Sequence, residues 1–212
     1  MRSLFGKGAE HGEVNVIMDA AISVIKNLGS ACLQVPVSID IEQMIAELSL
    51  LLWEGRLHFD QYLQSLGKAA PVKNLKALIG SGRVHPSIQP LLREMQAVTS
   101  PLGDSEYWQR LYPRRAELRQ ILTYVFQRYR LDALVYPHQK CLVAAIGEPQ
   151  QERNGFLAAA SGFPAITVPA GFSEAGLPVG LELMALPFQE AKLLKMAYAY
   201  EQATHWRRPP EL

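Results

Sequence analysis

From Glu13 to Leu28 the apolar residues Ile17, Ala21, Val24, Ile25 and Leu28 recur at helical spacing, and Gly29 stands where a left-handed cap ends a helix. Cys32 to Val37 is a short β-rich run with Pro36 near its end, and it reads as a strand. Asp40 can cap a helix whose broad apolar face is Ile41, Met44, Ile45, Leu48, Leu51 and Leu52. Shorter helical patterns follow over 59–66 and 73–79, the second closed by Gly80-Ser81-Gly82. Pro86 and Pro90 suit the first turn of another helix, and Pro101 with Gly103 marks a polar loop, the best candidate hinge. A long helix starting at Pro113 carries Leu118, Ile121, Leu122, Val125, Phe126 and Tyr129.

Beyond it the pattern changes to short apolar runs. Residues 132–137 read as a strand covered on both faces, and 154–161 as a small alanine-rich helix. Residues 165–169 and 178–184 read as two strands whose Gly176-containing connection suggests an antiparallel pair. An amphipathic helix from Phe188 to about Thr204 follows, and Pro209-Pro210 end the pattern. The expected class is α/β, a mixed sheet covered by helices, in a single domain over 1–212. A helical block fills about 40–130 and a sheet-rich part about 131–212.

Composition narrows the function classes. Hydrophobic residues make up 49% of the 212 and charged residues 19%, which is enough for a core and excludes wholesale disorder. With 21 Lys and Arg against 20 Asp and Glu, no net field argues for nucleic acid or an anionic membrane as a partner. No apolar run approaches the ~18 residues of a membrane span, and Met1 to Gly8 lacks the apolar core of a signal peptide. The expected compartment is the cytosol. Cys32 and Cys141 could form one bridge, but two reduced, buried thiols is the plainer reading.

Candidate chemistry is sparse. No G-x-S-x-G elbow occurs; Gly80-Ser81-Gly82 reads as a turn, and Ser161-Gly162 precedes a strand where an elbow follows one. His138 and Cys141 lie just past a strand end, where catalytic residues gather in open α/β sheets. Such a pair can make a thiolate nucleophile or half of a metal site, yet no neighbouring cluster supplies further ligands, and a pocket-lining or buried role is the plainer reading. His11, His58 and His205 fall on polar faces or helix ends, His85-Pro86 reads as a turn, and the Arg114-Arg115 and Arg207-Arg208 doublets read as solvated. No phosphate loop or dinucleotide fingerprint is present, and no metal or cofactor is expected.

The run from Asp132 to Pro137, then Arg153-Asn154-Gly155, then Ser161 to Gly171 resembles the amidase signature family, as do Gly176 to Met184 and the helix from Leu193 to Arg208. The resemblance covers nearly the whole chain and is strongest over 132–210. Gly162, Pro164, Pro169 and Gly171 match the family's strand entry and exit, and Gly176, Pro178 and Gly180 match its hairpin. The family hydrolyses carboxylic amides to acid and ammonia or amine with a Ser-(cis)Ser-Lys triad and a backbone oxyanion hole. The resemblance places all of those parts in the family's amino-terminal half, so it assigns no catalytic residue to any position here. It implies that the loop after Pro137 shapes a substrate pocket. A threonine commonly follows that proline in the family; here the residue is His138.

The resulting expectation is the carboxyl-terminal half of an amidase-signature hydrolase, inactive alone, with His138 and Cys141 lining a pocket. Two alternatives stand beside it: a subunit completed by a separate triad-bearing chain, and a non-catalytic binding or scaffolding protein that self-associates through an exposed sheet edge.

Overall fold

A computed structural model describes residues 1–36 and 39–209. In chain order its helices are α1 (Gly12–Asn27), α2 (Ile41–Leu48), α3 (Leu51–Ser65), α4 (Leu75–Gly80), α5 (Gln89–Ala97), α6 (Ser105–Leu111) and α7 (Pro113–Tyr129). Then follow strand β1 (Leu134–Pro137), helix α8 (Phe156–Ser161), strands β2 (Ala165–Phe172) and β3 (Pro178–Met184), and helix α9 (Glu190–Thr204). Two compact units divide the chain: Met1–Ile45 with Glu117–Ala145 and Gln150–Leu212, and Ala46–Ala116 with Ile146–Pro149.

The first unit is built on a three-stranded sheet in the order β1-β3-β2. The α/β class and the helix-covered sheet match the sequence expectation, and both pairings among the described strands are antiparallel. Alternation along β3 sends Val179, Leu181 and Leu183 to one face, where they meet Val14, Met18 and Ala21 of α1 and Leu193, Ala197 and Tyr200 of α9. Those helix residues recur at three- and four-residue spacing, so each helix turns one stripe to the sheet. The other face carries Leu134 and Tyr136 of β1 with Glu182 and Met184 of β3, all buried. α8 ends where Gly162 adopts φ 71°, a left-handed cap that a side chain would strain. Nearby, Arg119 Nε of α7 donates to the Ser161 carbonyl at 2.6 Å.

In the second unit α3, α4 and α5 pack together. Trp53 Nε1 donates to Asp104 Oδ2 at 2.8 Å, and Tyr107 Oη donates to Glu54 Oε1 at 3.0 Å. Arg114 holds Glu106 with two bonds of 2.6 and 3.1 Å, and Arg115 donates to the Leu48 carbonyl at 3.1 Å. The arginine doublet at 114–115 is therefore tied down, where the sequence suggested a solvated pair. Helix-end carbonyls and a carboxylate supply acceptors that linear spacing does not reveal.

Several other expectations change. Residues 32–36 form no strand, and Val37 lies outside the described residues. A strand needs a neighbour, and the outer edge of β1 is already occupied: the Met1 ammonium donates to the Val135 carbonyl at 2.7 Å, and Asn154 Nδ2 donates to the Pro137 carbonyl at 2.8 Å. The helix predicted from Asp40 through Leu52 is broken at Ser49–Leu50, although Asp40 does cap its start by accepting from the Gln43 N–H at 3.0 Å. Both cysteines are unbridged, but Cys32 is exposed and Cys141 only partly buried, because each sits on irregular chain outside the core.

Leu181 is fully buried on β3, which is paired on both sides. Leu181→Ala should cost about 2–5 kcal/mol in urea unfolding, whereas exposed Leu194→Ala should stay within about 0.5 kcal/mol.

Candidate functional site

One transverse row of the sheet carries Tyr136, Glu182 and Thr167, which are register partners on β1, β3 and β2. Their side chains therefore share a face, opposite the α1 and α9 helices. Glu182 is 2% exposed. A buried carboxylate is costly unless its oxygens are satisfied, and here both are. Tyr136 Oη donates to Oε1 at 2.9 Å, His138 Nδ1 bonds Oε2, and Thr167 Oγ1 reaches Oε2 at 3.5 Å.

His138 is held from several sides. Its N–H donates to the Gly180 carbonyl at 2.9 Å, and its carbonyl accepts from the Gly155 N–H at 3.2 Å. The imidazole lies directly over Gly155, where a Cβ would stand 2.2 Å from Cε1, and a Cβ on Gly180 would come within 2.8 Å of Thr167 Cγ2. Both glycines are thus required by close approach. Nδ1 is committed to Glu182, while Nε2 has no hydrogen-bond partner among the described residues and the side chain is 43% exposed. This is an oriented carboxylate–imidazole pair with one ring nitrogen presented outward.

Electrostatics follow from the geometry. The hydrogen bond to Glu182 raises the His138 pKa above its ordinary value, against an opposing effect of burial. Burial first, and then the Glu182 charge, push the Tyr136 phenol well above its usual range, so it stays a donor.

His138 and Cys141 line the same small cavity with Leu142, Pro178, Val179 and Gly180. Its volume is about 40 Å³, room for a water or two and far below the ~300 Å³ of a small-molecule pocket. Burial, then the charge of Glu152, raise the Cys141 thiol, so it remains protonated near neutrality, and Gln150 Nε2 approaches Sγ at 3.5 Å. That chemistry suits a lining residue better than a nucleophile. Among the described residues no three His, Cys, Asp or Glu side chains gather as a metal site. Ser161 bonds the Leu157 carbonyl at 2.8 Å and accepts from the Phe163 N–H at 3.2 Å, a capping role.

The motif residues Pro164, Pro169, Gly171, Gly176 and Pro178 shape the hairpin. Pro164 lends its carbonyl to the Ala185 N–H at 3.0 Å, and a bulge falls between Pro169 and Gly171. Gly176 makes the turn at φ 77°, and Pro178 opens β3.

Sequence reasoning missed Glu182 and Tyr136 as a functional pair. The available signal was a lone carboxylate inside an otherwise apolar strand. His11 does stand at a helix end, just before α1, but it is buried and partnered rather than solvated. His11 Nδ1 accepts from the Gly8 N–H at 2.9 Å, so Nε2 donates to Glu152 Oε2 at 2.6 Å, clasping the first residues to the loop before α8. A second, larger cleft of about 850 Å³ opens on the other face of the sheet, lined by Ile22, Ile25, Cys32, Val135, Lys195 and Tyr200 among others.

Fold and site together define an α/β unit of antiparallel strands with helices over one face and a carboxylate–imidazole pair on the other. The amidase family model matches residues 5–194, and the chain belongs to that family. Among its relatives, a glutamyl-tRNA(Gln) amidotransferase subunit of Synechococcus sp. is 27% identical over 99% of this chain and 43% of its own length. The corresponding protein of Moorella thermoacetica is 29% identical over 100% of this chain and 45% of its own. The structure of peptide amidase from Stenotrophomonas maltophilia superimposes with a TM-score of 0.69 at 29% identity, covering 99% of this chain and 45% of that one. The chain therefore spans less than half the length of the relatives it matches. No helix among the described residues is long and apolar enough to cross a membrane.

The raised His138 value has a testable consequence. NMR titration should place its midpoint above the ordinary 6.5, and Glu182→Gln should bring it down. Because the folded-state value is the higher one, the pair adds stability that is complete below 6.5 and lost as pH rises through the His138 midpoint. Urea melts comparing the protein with His138→Gln should converge on the alkaline side.

Proposed function

We propose that this chain is the carboxyl-terminal part of one amidase-signature domain, in an enzyme that hydrolyses carboxylic amides to acid and ammonia or amine. In this reading it contributes the sheet, its helical cover and a pocket wall that includes His138 and Cys141. The nucleophile and its base come from residues outside the sequence, so the chain alone is inactive and works with a polypeptide that carries the rest.

One observation carries the reading: a family match running through most of the chain, against relatives more than twice as long. The site supports it. A cavity of about 40 Å³ walled by His138 and Cys141 is too small for an amide substrate, as expected of one wall of a pocket whose other wall lies elsewhere. Among the described residues no serine hydroxyl is hydrogen-bonded to a lysine amine, and Ser161 is engaged as a helix cap. Peptide amidase acts, by its name, on an amide, and the amidotransferase relatives are by name subunits, which supports a partnered protein.

The test is ammonia release from a simple carboxamide and from a peptide amide. The purified chain should give the uncatalysed rate. Adding the portion of the Stenotrophomonas peptide amidase that this chain does not match should raise it by orders of magnitude. Enzyme-like turnover by the chain alone would overturn the reading.

A further inference from the structure

The small cavity beside His138 opens where the β1–β3 ladder loses a rung. The register runs from Leu134 opposite Met184 to Pro137 opposite Leu181, and the His138 N–H adds a bond to the Gly180 carbonyl at 2.9 Å. Directly bonded pairs recur every second residue in an antiparallel ladder, so the next rung would join the Lys140 N–H to the Pro178 carbonyl. Lys140 instead donates to the Glu152 carbonyl at 3.2 Å, and Gln139 bridges to Arg153. On the β2 side the Leu177 carbonyl accepts from the Ser173 N–H at 2.8 Å, so alternation turns the Pro178 carbonyl the other way, into the gap. That carbonyl has no hydrogen bond among the described residues, and Pro178 lines the cavity.

Residues bearing three electron-pair donors thus border one space of about 40 Å³: Pro178 with its carbonyl, Cys141 with its sulfur, and His138 with its outward Nε2. His138 and Cys141 stand three positions apart where the chain leaves the sheet, the H-x2-C counterpart of the C-x2-C spacing by which one short loop holds an ion. A metal-bound imidazole almost always donates its other ring N–H to a carboxylate or carbonyl, which fixes the tautomer and aims the free nitrogen. Nδ1 of His138 already has that partner in Glu182, whose other bonds come from the neutral hydroxyls of Tyr136 and Thr167. A cation on Nε2 balances the buried carboxylate through the ring and leaves the Nδ1 bond intact. Around the sulfur, Gln150 Nε2 approaches at 3.5 Å, a contact that a thiolate accepts more strongly than a thiol. Glu152 and Glu10 add negative charge there, Glu152 being shared with His11 and Lys140.

We infer that His138 Nε2, Cys141 Sγ and the Pro178 carbonyl form a site for one thiophilic divalent cation, Zn²⁺, with water in the fourth position. One thiolate and one imidazole select such an ion over Mg²⁺ and Ca²⁺, which take oxygen ligands. The cavity volume suits an ion with one bound water. Two side chains and a carbonyl fall short of the four side chains that close a structural zinc centre, so the ion is exchangeable and its removal leaves the chain folded. On binding, the Cys141 thiol gives its proton to solvent as the sulfur–metal bond forms, and neither oxidant nor reductant takes part. The site does not depend on the proposed function, and its absence would leave that reading standing.

Titration of the full, reduced chain with Co²⁺ tests this, because a cobalt–thiolate bond gives a near-ultraviolet charge-transfer band that imidazole and carboxylate ligands do not. The chain carries Cys32→Ser, which leaves Cys141 as its only thiol. The expected result is a saturable band at one ion per chain that one equivalent of Zn²⁺ bleaches. Cys141→Ser should abolish the band, and His138→Gln should weaken Zn²⁺ binding at least about tenfold. Should His138→Gln fail to fold, nitrogen NMR of the chain with His138 in place decides: Zn²⁺ should shift the Nε2 resonance while Nδ1 keeps its proton. No band with Co²⁺ in large excess would overturn the inference. So would binding that His138→Gln leaves unchanged, or an Nε2 resonance that Zn²⁺ does not move. One ion per two chains would divide the ligands between copies and overturn it as well.

Discussion

The Glu182 carboxylate in the middle of the sheet is the constraint around which the first unit is arranged. It sits on β3, the strand paired on both sides, and its burial is tolerable only because β1 sends Tyr136 and His138 to it and β2 sends Thr167. A one-residue slip of either pairing would carry those donors to the opposite face and leave a buried charge unpaired. The same register puts Leu181 and Leu183 under α1 and α9, so apolar burial and polar satisfaction select a single alignment. His138 is the joint between this interior network and the surface, committed through Nδ1 and open through Nε2.

That arrangement leaves the two outer edges of the sheet unlike. Toward β1 the chain supplies its own first residues and the Asn154 amide, and the edge is quiet. Toward β2 the edge residues Ala165 and Thr167 are exposed, and the cavity too small to hold a substrate is walled instead by His138, Cys141 and residues 178–180. The proposed function accounts for the small cavity as one wall of a larger pocket. Membership of the amidase family and the limited span of the match point the same way.

Much of this was legible in the amino-acid pattern, and the failures share a cause. Helical periodicity located α1, α7 and α9, and the Gly176 turn between two β-rich runs located the β2–β3 hairpin, because those signals are local. The run at Cys32 has the composition of a strand but no partner in the described structure, and pairing is not a local property. The buried clasp of His11 with Glu152 spans 141 positions, and the bonds of Arg114 and Arg115 to carbonyls at 47 and 48 span 67, so neither could be read from neighbours in sequence. Pairing of His138 with Glu182 likewise needs the β1–β3 register, although a lone glutamate in an apolar strand was itself a clue. Cys141 was visible as a residue near a strand end; its raised thiol, which favours lining over attack, came only from its surroundings.

Calorimetric titration of the chain with the unmatched portion of the peptide amidase tests most directly whether another stretch of polypeptide completes this unit. Saturable one-to-one binding with a negative heat-capacity change, the mark of apolar surface leaving water, is the expected result. Absence of binding heat at any temperature, with the chain folded, monomeric and cooperative in its melt, would contradict it.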